Sequence, residues 1–160
     1  MSARGHGQAA LLEHLLRLAL RRLDACQKER LAPLALTPRQ VEVLMALKGQ
    51  GGVRQRELAR RVGMDASTLA ELAARLARRG LIRRAPHRKD RRALALYLTP
   101  KGRRVVQKAL PLMAEADAVF LKPLRAAQRQ AFVQALMLLG GESQQDDAAL
   151  ARRREGEKKA

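Results

Sequence analysis

Apolar residues recur three and four positions apart over most of the chain, which is the spacing of amphipathic helices. Leu12, Leu15, Leu16, Ala19 and Leu23 form one such stripe between about Gln8 and Leu31. The pattern predicts a long first helix there, followed by further helices over Pro38 to about Lys48, Arg54–Val62, Asp65–Gly80, Thr99 to about Phe120 and Leu124–Leu139. Pro111 is expected to kink the fifth of these.

Local signals support several helix boundaries. Thr37, followed by proline and then by Gln40, predicts a capping box at the start of the second helix. Gly63 is expected to end the third helix, and Asp65 to act as the N-cap of the fourth. Two short helices joined by a glycine-containing turn predict a helix-turn-helix.

After Gly80 the apolar pattern changes from helical spacing to alternation. Leu81–Arg84 and Ala93–Leu98 flank a basic stretch over 85–92, which predicts a β-hairpin with a basic tip. Leu94, Leu96 and Leu98 are expected to share a face that covers the preceding helices. The predicted fold is mainly α with a small β-hairpin: a winged helix-turn-helix flanked by N-terminal and C-terminal helices.

In a winged helix-turn-helix the second helix of the pair enters the major groove of DNA with its N-terminal residues near the bases. Ser67 and Thr68 lie at that position, where hydroxyls and free backbone amides can bind a phosphate. The alternative is that Asp65, Ser67 and Thr68 only cap the helix.

Charge agrees with a polyanionic partner. The 160 residues carry a formal net charge of +18, with a pI near 11.6. Twelve of the basic residues, and only one acid, Asp90, lie between Arg75 and Arg104, so genome-wide arginine bias explains the excess less well. Aromatic residues are only 2%, which argues against modules that stack bases on aromatic side chains.

The sequence lacks the signals of several other classes of protein. A single cysteine, Cys26, excludes an internal disulfide, and no apolar run is long enough to span a membrane, so the expected location is the cytoplasm. The three histidines lie in separate segments, so we expect no metal and no other cofactor. The sequence contains none of three signals expected of an enzyme: a nucleophile beside a base, a pair of carboxylates, or a phosphate-binding loop. We therefore do not expect an enzyme.

Several motifs in order resemble the MarR family of transcriptional regulators. They are Leu36–Val41, Arg56–Ala59, Ser67–Leu69, Arg75–Leu76, Arg79–Arg83, Asp90–Arg92 and Leu98–Gly102. The resemblance implies a homodimer whose terminal helices interlock, a pseudo-palindromic double-stranded DNA operator, and repression relieved by a small ligand or by oxidation. The expected regions are an N-terminal dimerisation helix (8–36), the DNA-binding domain (37–102), C-terminal dimerisation helices (103–141) and a polar tail (142–160).

The candidate DNA-binding residues fall into two groups. Those of the recognition helix are Ser67, Thr68, Glu71 and Arg75, and those of the wing and its flanks are Arg54, Gln55, Arg88, Lys89, Arg91 and Arg92. In the family's wing motif an acid, here Asp90, pairs with Arg92 and orients the tip; the alternative is a solvated run of charges. Glu71 departs from the family pattern, and either pairs with Arg75 or accepts from cytosine N4.

Dimerisation is expected through apolar stripes at the two ends of the chain, because so small a chain has difficulty burying them alone. The residues are Leu12, Leu16, Leu20, Leu23, Leu124, Phe132, Leu136 and Leu139. Packing inside the monomer is the alternative.

Sensing has weaker support in the sequence. The family's usual pocket implies that His14, Arg17 and Arg21 receive an anionic or phenolic effector, unless they are simply surface residues. Cys26 is a candidate oxidant sensor or an inert small hydrophobe. The alternative function for the whole chain is non-specific architectural or RNA-associated nucleic-acid binding without an effector.

Overall fold

The computed structural model describes residues 3–87 and 90–140. The helices are α1 (Ala3–Leu31), α2 (Pro38–Ala46), α3 (Gln55–Arg61), α4 (Ala66–Arg78), α5 (Pro100–Leu121) and α6 (Ala126–Leu139), and the strands are β1 (Val53–Arg54), β2 (Ile82–His87) and β3 (Asp90–Leu98). A 3-10 turn, Ala32–Leu34, follows α1. The mainly helical fold with a β-hairpin is therefore confirmed.

The predicted caps form as expected. The Thr37 hydroxyl accepts from the Gln40 amide while the Gln40 side chain accepts from the Thr37 amide, so the capping box is complete. The Asp65 side chain accepts from the Thr68 amide at the start of α4. Because these signals depend only on neighbouring residues, the sequence alone reveals them.

The starts of two helices, α1 and α6, differ from the prediction by more than one residue. α1 begins at Ala3 rather than Gln8, and α6 begins at Ala126, so Leu124 lies in the turn before it. Arg125 is the N-cap of α6, with Gln128 accepting from its amide. Pro111 lies inside the single helix α5, and the kink expected there stays a prediction.

The sheet has one strand more than predicted. β1 pairs antiparallel with β3, aligning Val53 with Leu96, so the strand order is β1-β3-β2. Only two residues long, β1 carries too little alternation to be recognised in the sequence.

The prediction for the inner face of β3 is correct only in part. Leu96 is fully buried and Leu98 half-buried, but Leu94 is 42% exposed. Leu94 pairs with Pro86 near the hairpin tip. Ala95 and Tyr97, on the opposite face, are also buried, and the Tyr97 ring lies against Gly52 and the Arg83 guanidinium.

Within residues 3–87 and 90–140, one cluster of buried aliphatic side chains holds the helix-turn-helix and the sheet together. Its fully buried members include Leu31, Leu44, Leu58, Leu69, Leu76, Leu81, Leu96 and Val106. The cluster takes residues from α1 to α5, all within the first of two compact units, which ends at Phe120. The second unit begins at Leu121 and contains α6, which buries no residue.

No helix among the described residues is long and apolar enough to cross a membrane. The predicted polar tail, 142–160, and the wing residues Arg88 and Lys89 lie outside the described residues, as do the side chains of Asp90 and Arg91.

Candidate nucleic-acid interface

The turn between α3 and α4 sets the angle of the helix-turn-helix. Gly63 adopts a left-handed conformation with φ of 59°, and the Met64 amide donates to the Ala59 carbonyl. Leu58 on α3 and Leu69 on α4 are fully buried on either side of this turn. One face of α4 is thereby fixed to the core and the other is presented to solvent.

The exposed start of α4 is organised around the Asp65 carboxylate. It accepts from the Thr68 amide at 2.8 Å and from the hydroxyls of Ser67 and Thr68. These hydrogen bonds, first the one from Ser67 and then those from Thr68, hold the pKa of Asp65 well below its ordinary value.

The network changes what this end of α4 can bind. The Thr68 amide is not available for a phosphate, contrary to the expectation of free backbone amides, because the Asp65 carboxylate occupies it. The Ser67 and Thr68 side chains nevertheless remain exposed, and their oxygen lone pairs can still accept hydrogen bonds.

Glu71 and Arg75 lie one turn and two turns further along the same exposed face. Arg75 Nη2 is 3.2 Å from Glu71 Oε2, so the helix pair suggested by their spacing is present. Side-chain exposures of 59% and 72% make this a weak ion pair, one that a base or phosphate can displace. All four recognition-helix candidates therefore share one accessible surface.

Aromatic and polar contacts hold the wing in place. The Arg83 guanidinium lies over the Tyr97 ring, 4.1 Å from its centroid, and the Tyr97 hydroxyl donates to the Pro86 carbonyl. Gly52 lies against the ring; a Cβ there would be 2.3 Å from Tyr97 Cε1. These contacts fix the hairpin's strands near β1.

A hydrogen bond also joins the wing to the helix-turn-helix. Arg84 Nη2, on β2, donates to Gln55 Oε1 at the first residue of α3, at 3.3 Å. Arg54, the other flanking candidate, is exposed next to Gln55, and Arg92 is exposed on β3. Because the proposed partner of Arg92, Asp90, has no described side chain, their pairing stays a prediction.

Sequence reasoning missed that part of the basic cluster serves the fold. Arg79 donates to the carbonyls of Leu34 and Ala35, Lys101 to the carbonyl of Arg79, and Arg103 to the carbonyl of Leu98. Because every residue has a backbone carbonyl, the residue types do not show which carbonyls accept these hydrogen bonds. No spacing rule could therefore have indicated them.

The sensing candidates on α1 are not gathered into an enclosed site. His14, Arg17 and Arg21 are all exposed, and Arg17 pairs with Glu13 one turn earlier. Cys26 is half-buried on the same helix. No cluster of three or more metal-ligating side chains occurs within the described part of the chain.

Comparisons with known proteins agree with this geometry. Residues 36–94 match the sequence model of the MarR family. The transcriptional regulator HosA of Escherichia coli O157:H7 is 34% identical over 99 residues, which make up 62% of this chain and 73% of HosA. The chain belongs to the MarR family.

Two solved structures resemble most of the described fold. One is BpsR of Bordetella bronchiseptica, whose DNA binding is regulated by 6-hydroxynicotinic acid; it has a TM-score of 0.76 at 29% identity, over 82% of this chain and 94% of that chain. The other is the transcriptional repressor CouR bound to a 23-mer DNA duplex, with a TM-score of 0.76 at 30% identity, over 83% of this chain and 94% of that chain.

Membership of the MarR family makes this chain a DNA-binding transcriptional regulator rather than an enzyme. The family match runs from the residue before Thr37 into β3, so it contains the helix-turn-helix and most of the wing. Helices α1 and α6 lie outside the match, and it is on them that most of the exposed large apolar side chains occur.

Proposed function

We propose that the protein is a homodimeric repressor that binds a pseudo-palindromic operator and releases it when a small anionic or phenolic ligand binds. The observation that carries the DNA-binding part is the single accessible face of α4, on which Ser67, Thr68, Glu71 and Arg75 all lie exposed. Its opposite face is fixed by buried Leu69, Ala73 and Leu76.

In the proposed complex α4 lies in the major groove, with Ser67 and Thr68 near base edges. Their hydroxyl hydrogens already donate to Asp65, so in this arrangement they present acceptors, which match the amino groups of adenine and cytosine. The arginines of the wing, Arg91 and Arg92 among them, supply phosphate or minor-groove contacts.

The proposal of a dimer is supported by the apolar surface of the outer helices. On α1, Leu12, Leu16 and Leu20 are 59%, 44% and 63% exposed, and on α6, Leu136 and Leu139 are 43% and 82% exposed. Leu23, Leu124 and Phe132 are half-buried. Packing within one chain thus leaves these stripes in water, whereas a second copy of the chain would cover them.

Support for a ligand comes from the relative BpsR, whose DNA binding responds to 6-hydroxynicotinic acid, an anionic hydroxylated ring. The exposed cationic side chains Arg17 and Arg21, beside His14 on α1, provide matching charge. For Arg17 to reach a ligand, its ion pair with Glu13 must open. We also propose a cytoplasmic location, because the protein's role is to bind DNA.

The first test of this function is specificity. Bound duplexes are recovered by selection from random DNA, and their affinities are compared with that of random duplex at fixed salt. A specific regulator should bind the selected operator about a thousandfold or more tightly, and the recovered sequence should have two-fold symmetry. Equal affinity for both duplexes would instead support the non-specific architectural or RNA-associated alternative.

Single substitutions distinguish residues that contact phosphates from residues that read base edges. Arg92→Ala should weaken binding to all sequences and reduce the slope of log K against log salt by about 0.9 if it contacts one phosphate. Ser67→Ala should change sequence preference and leave the slope unchanged. Arg22→Ala is the matched control, because it removes the same charge from an exposed position on α1.

A further inference from the structure

We propose that Arg79 is a positioning residue whose side chain fixes the end of the recognition helix α4 to the turn after α1, and thereby sets the separation of the two recognition helices in a DNA-bound dimer. The inference rests on the proposed dimer. It does not require Arg79 to touch DNA.

The Arg79 side chain connects α4 to the turn that follows α1. Nη1 donates to the Ala35 carbonyl at 2.6 Å and Nη2 to the Leu34 carbonyl at 3.1 Å. The planar guanidinium offers two such donors side by side, which suits consecutive carbonyls of a turn. The turn itself lies between two buried anchors, Leu31 and Leu36, so the contact reaches a part of the chain that is fixed to the core.

The backbone at the same end of α4 is held by Thr99 and by the first turn of α5. Lys101 Nζ donates to the Arg79 carbonyl at 2.8 Å, and Thr99 Oγ1 is 2.7 Å from the Gly80 carbonyl oxygen. Gly102 permits this approach, since a Cβ at that position would be 2.1 Å from the Leu81 carbonyl oxygen. The end of α4 is therefore held to the turn after α1 through the Arg79 side chain, and to the start of α5 through the backbone carbonyls of Arg79 and Gly80.

These contacts connect the turn after α1, the end of α4 and the start of α5, so that the three should move together. α1 carries part of the proposed dimer surface, and α4 carries the proposed base-reading surface. Because Arg79 directly links the turn after α1 to α4, removing it should let α4 reorient relative to the dimer surface. A dimer with loosened recognition helices should tolerate half-site separations that the wild-type protein rejects.

The experiment uses the full chain and the selected operator, together with duplexes in which one base pair is added or removed between the half-sites. For each protein we define the spacing ratio as the Kd for an altered duplex divided by the Kd for the operator. Arg79→Gln should lower this ratio at least about fivefold, the lower end of typical coupling between sites. The salt slope on the operator should stay at the wild-type value, since no phosphate contact is lost.

The control is Arg78→Gln, which removes the same charge one residue earlier, from an exposed side chain. It should leave the spacing ratio at the wild-type value. Arg79→Lys keeps the charge but has no fork of parallel donors, so it should give an intermediate ratio, and it serves as the test if Arg79→Gln does not fold.

Three results would overturn the inference. If the wild type discriminates spacing but the ratio is unchanged in folded Arg79→Gln or Arg79→Lys, the positioning role of Arg79 is rejected, whereas the proposed dimer is not. A salt slope lowered by about 0.9 in Arg79→Gln would show that the residue binds a phosphate itself. A wild-type protein indifferent to spacing would contradict the proposed dimer, and the inference with it.

Discussion

Replacing Leu20 by alanine tests the dimer with little disturbance of the monomer. Leu20 is 63% exposed on α1, so it contributes little to the core of its own chain. Alanine has a higher helix propensity than leucine, and the substitution should therefore leave α1 intact. Any loss of association then reports contacts made with a second chain.

The magnitude follows from the exposed fraction. The change removes three apolar carbons, worth about 2.4 kcal/mol when moved completely from water to a buried site, at roughly 0.8 kcal/mol each. With 63% of the side chain still to be covered on association, about 1.5 kcal/mol is lost per copy. A two-fold interface contains the substitution twice, so the dimer should lose about 3 kcal/mol, a rise in the dimer Kd of roughly 150-fold.

Sedimentation equilibrium over a range of protein concentrations measures that Kd directly. Leu94→Ala is the matched control, because it makes the same chemical change at a side chain that is 42% exposed on the hairpin. An unchanged Kd for Leu20→Ala, or an equal rise for Leu94→Ala, would show that the exposed stripe on α1 is not the dimer surface. A wild-type protein that stays monomeric at high concentration would refute the dimer itself.

Three further predictions concern single positions. Gly102→Ala should destabilise the fold by about 1–3 kcal/mol in urea unfolding, because the new Cβ would meet the Leu81 carbonyl oxygen; Gly51→Ala, where a Cβ meets no atom within 4 Å, should not. The pKa of Asp65 is lowered in the folded state, so its contribution to stability is present above the ordinary value of 3.8 and is lost as pH falls below it. The advantage of wild type over Asp65→Asn in thermal unfolding should therefore shrink at acid pH, and a constant difference would count against the hydrogen-bonded carboxylate. Glu71→Gln should tighten binding to random duplex severalfold by removing a negative charge from the DNA-facing side; a loss of affinity confined to the operator would show instead that Glu71 reads cytosine.

Sequence reasoning recovered those features whose causes are local. The Thr37 capping box, the Asp65 N-cap and the change from helical spacing to alternation after Gly80 each depend on residues within a few positions of one another. The i to i+4 pair of Glu71 and Arg75 belongs to the same class.

Features that join distant parts of the chain were missed. β1 exists because Val53 pairs with Leu96, 43 positions later, and two residues carry no periodicity of their own. Arg79 reaches carbonyls at positions 34 and 35, whose side chains say nothing about their availability. Leu94 keeps the alternation of β3 yet lies exposed, because the pattern indicates a face of the strand and not how far the helices extend over it.

The basic cluster between Arg75 and Arg104 has two electrostatic roles that a charge count cannot separate. Arg79, Lys101 and Arg103 donate to carbonyls, and Arg83 lies on Tyr97, so these four are committed to the fold. They keep their positive charge, however, and still contribute to the long-range field that attracts DNA. The slope of affinity against salt counts only the cations that displace counterions from phosphates, whereas the rate of encounter responds to the total charge. This division of the arginines and lysines therefore implies that the protein encounters DNA rapidly, while the slope of its equilibrium affinity against salt concentration is modest.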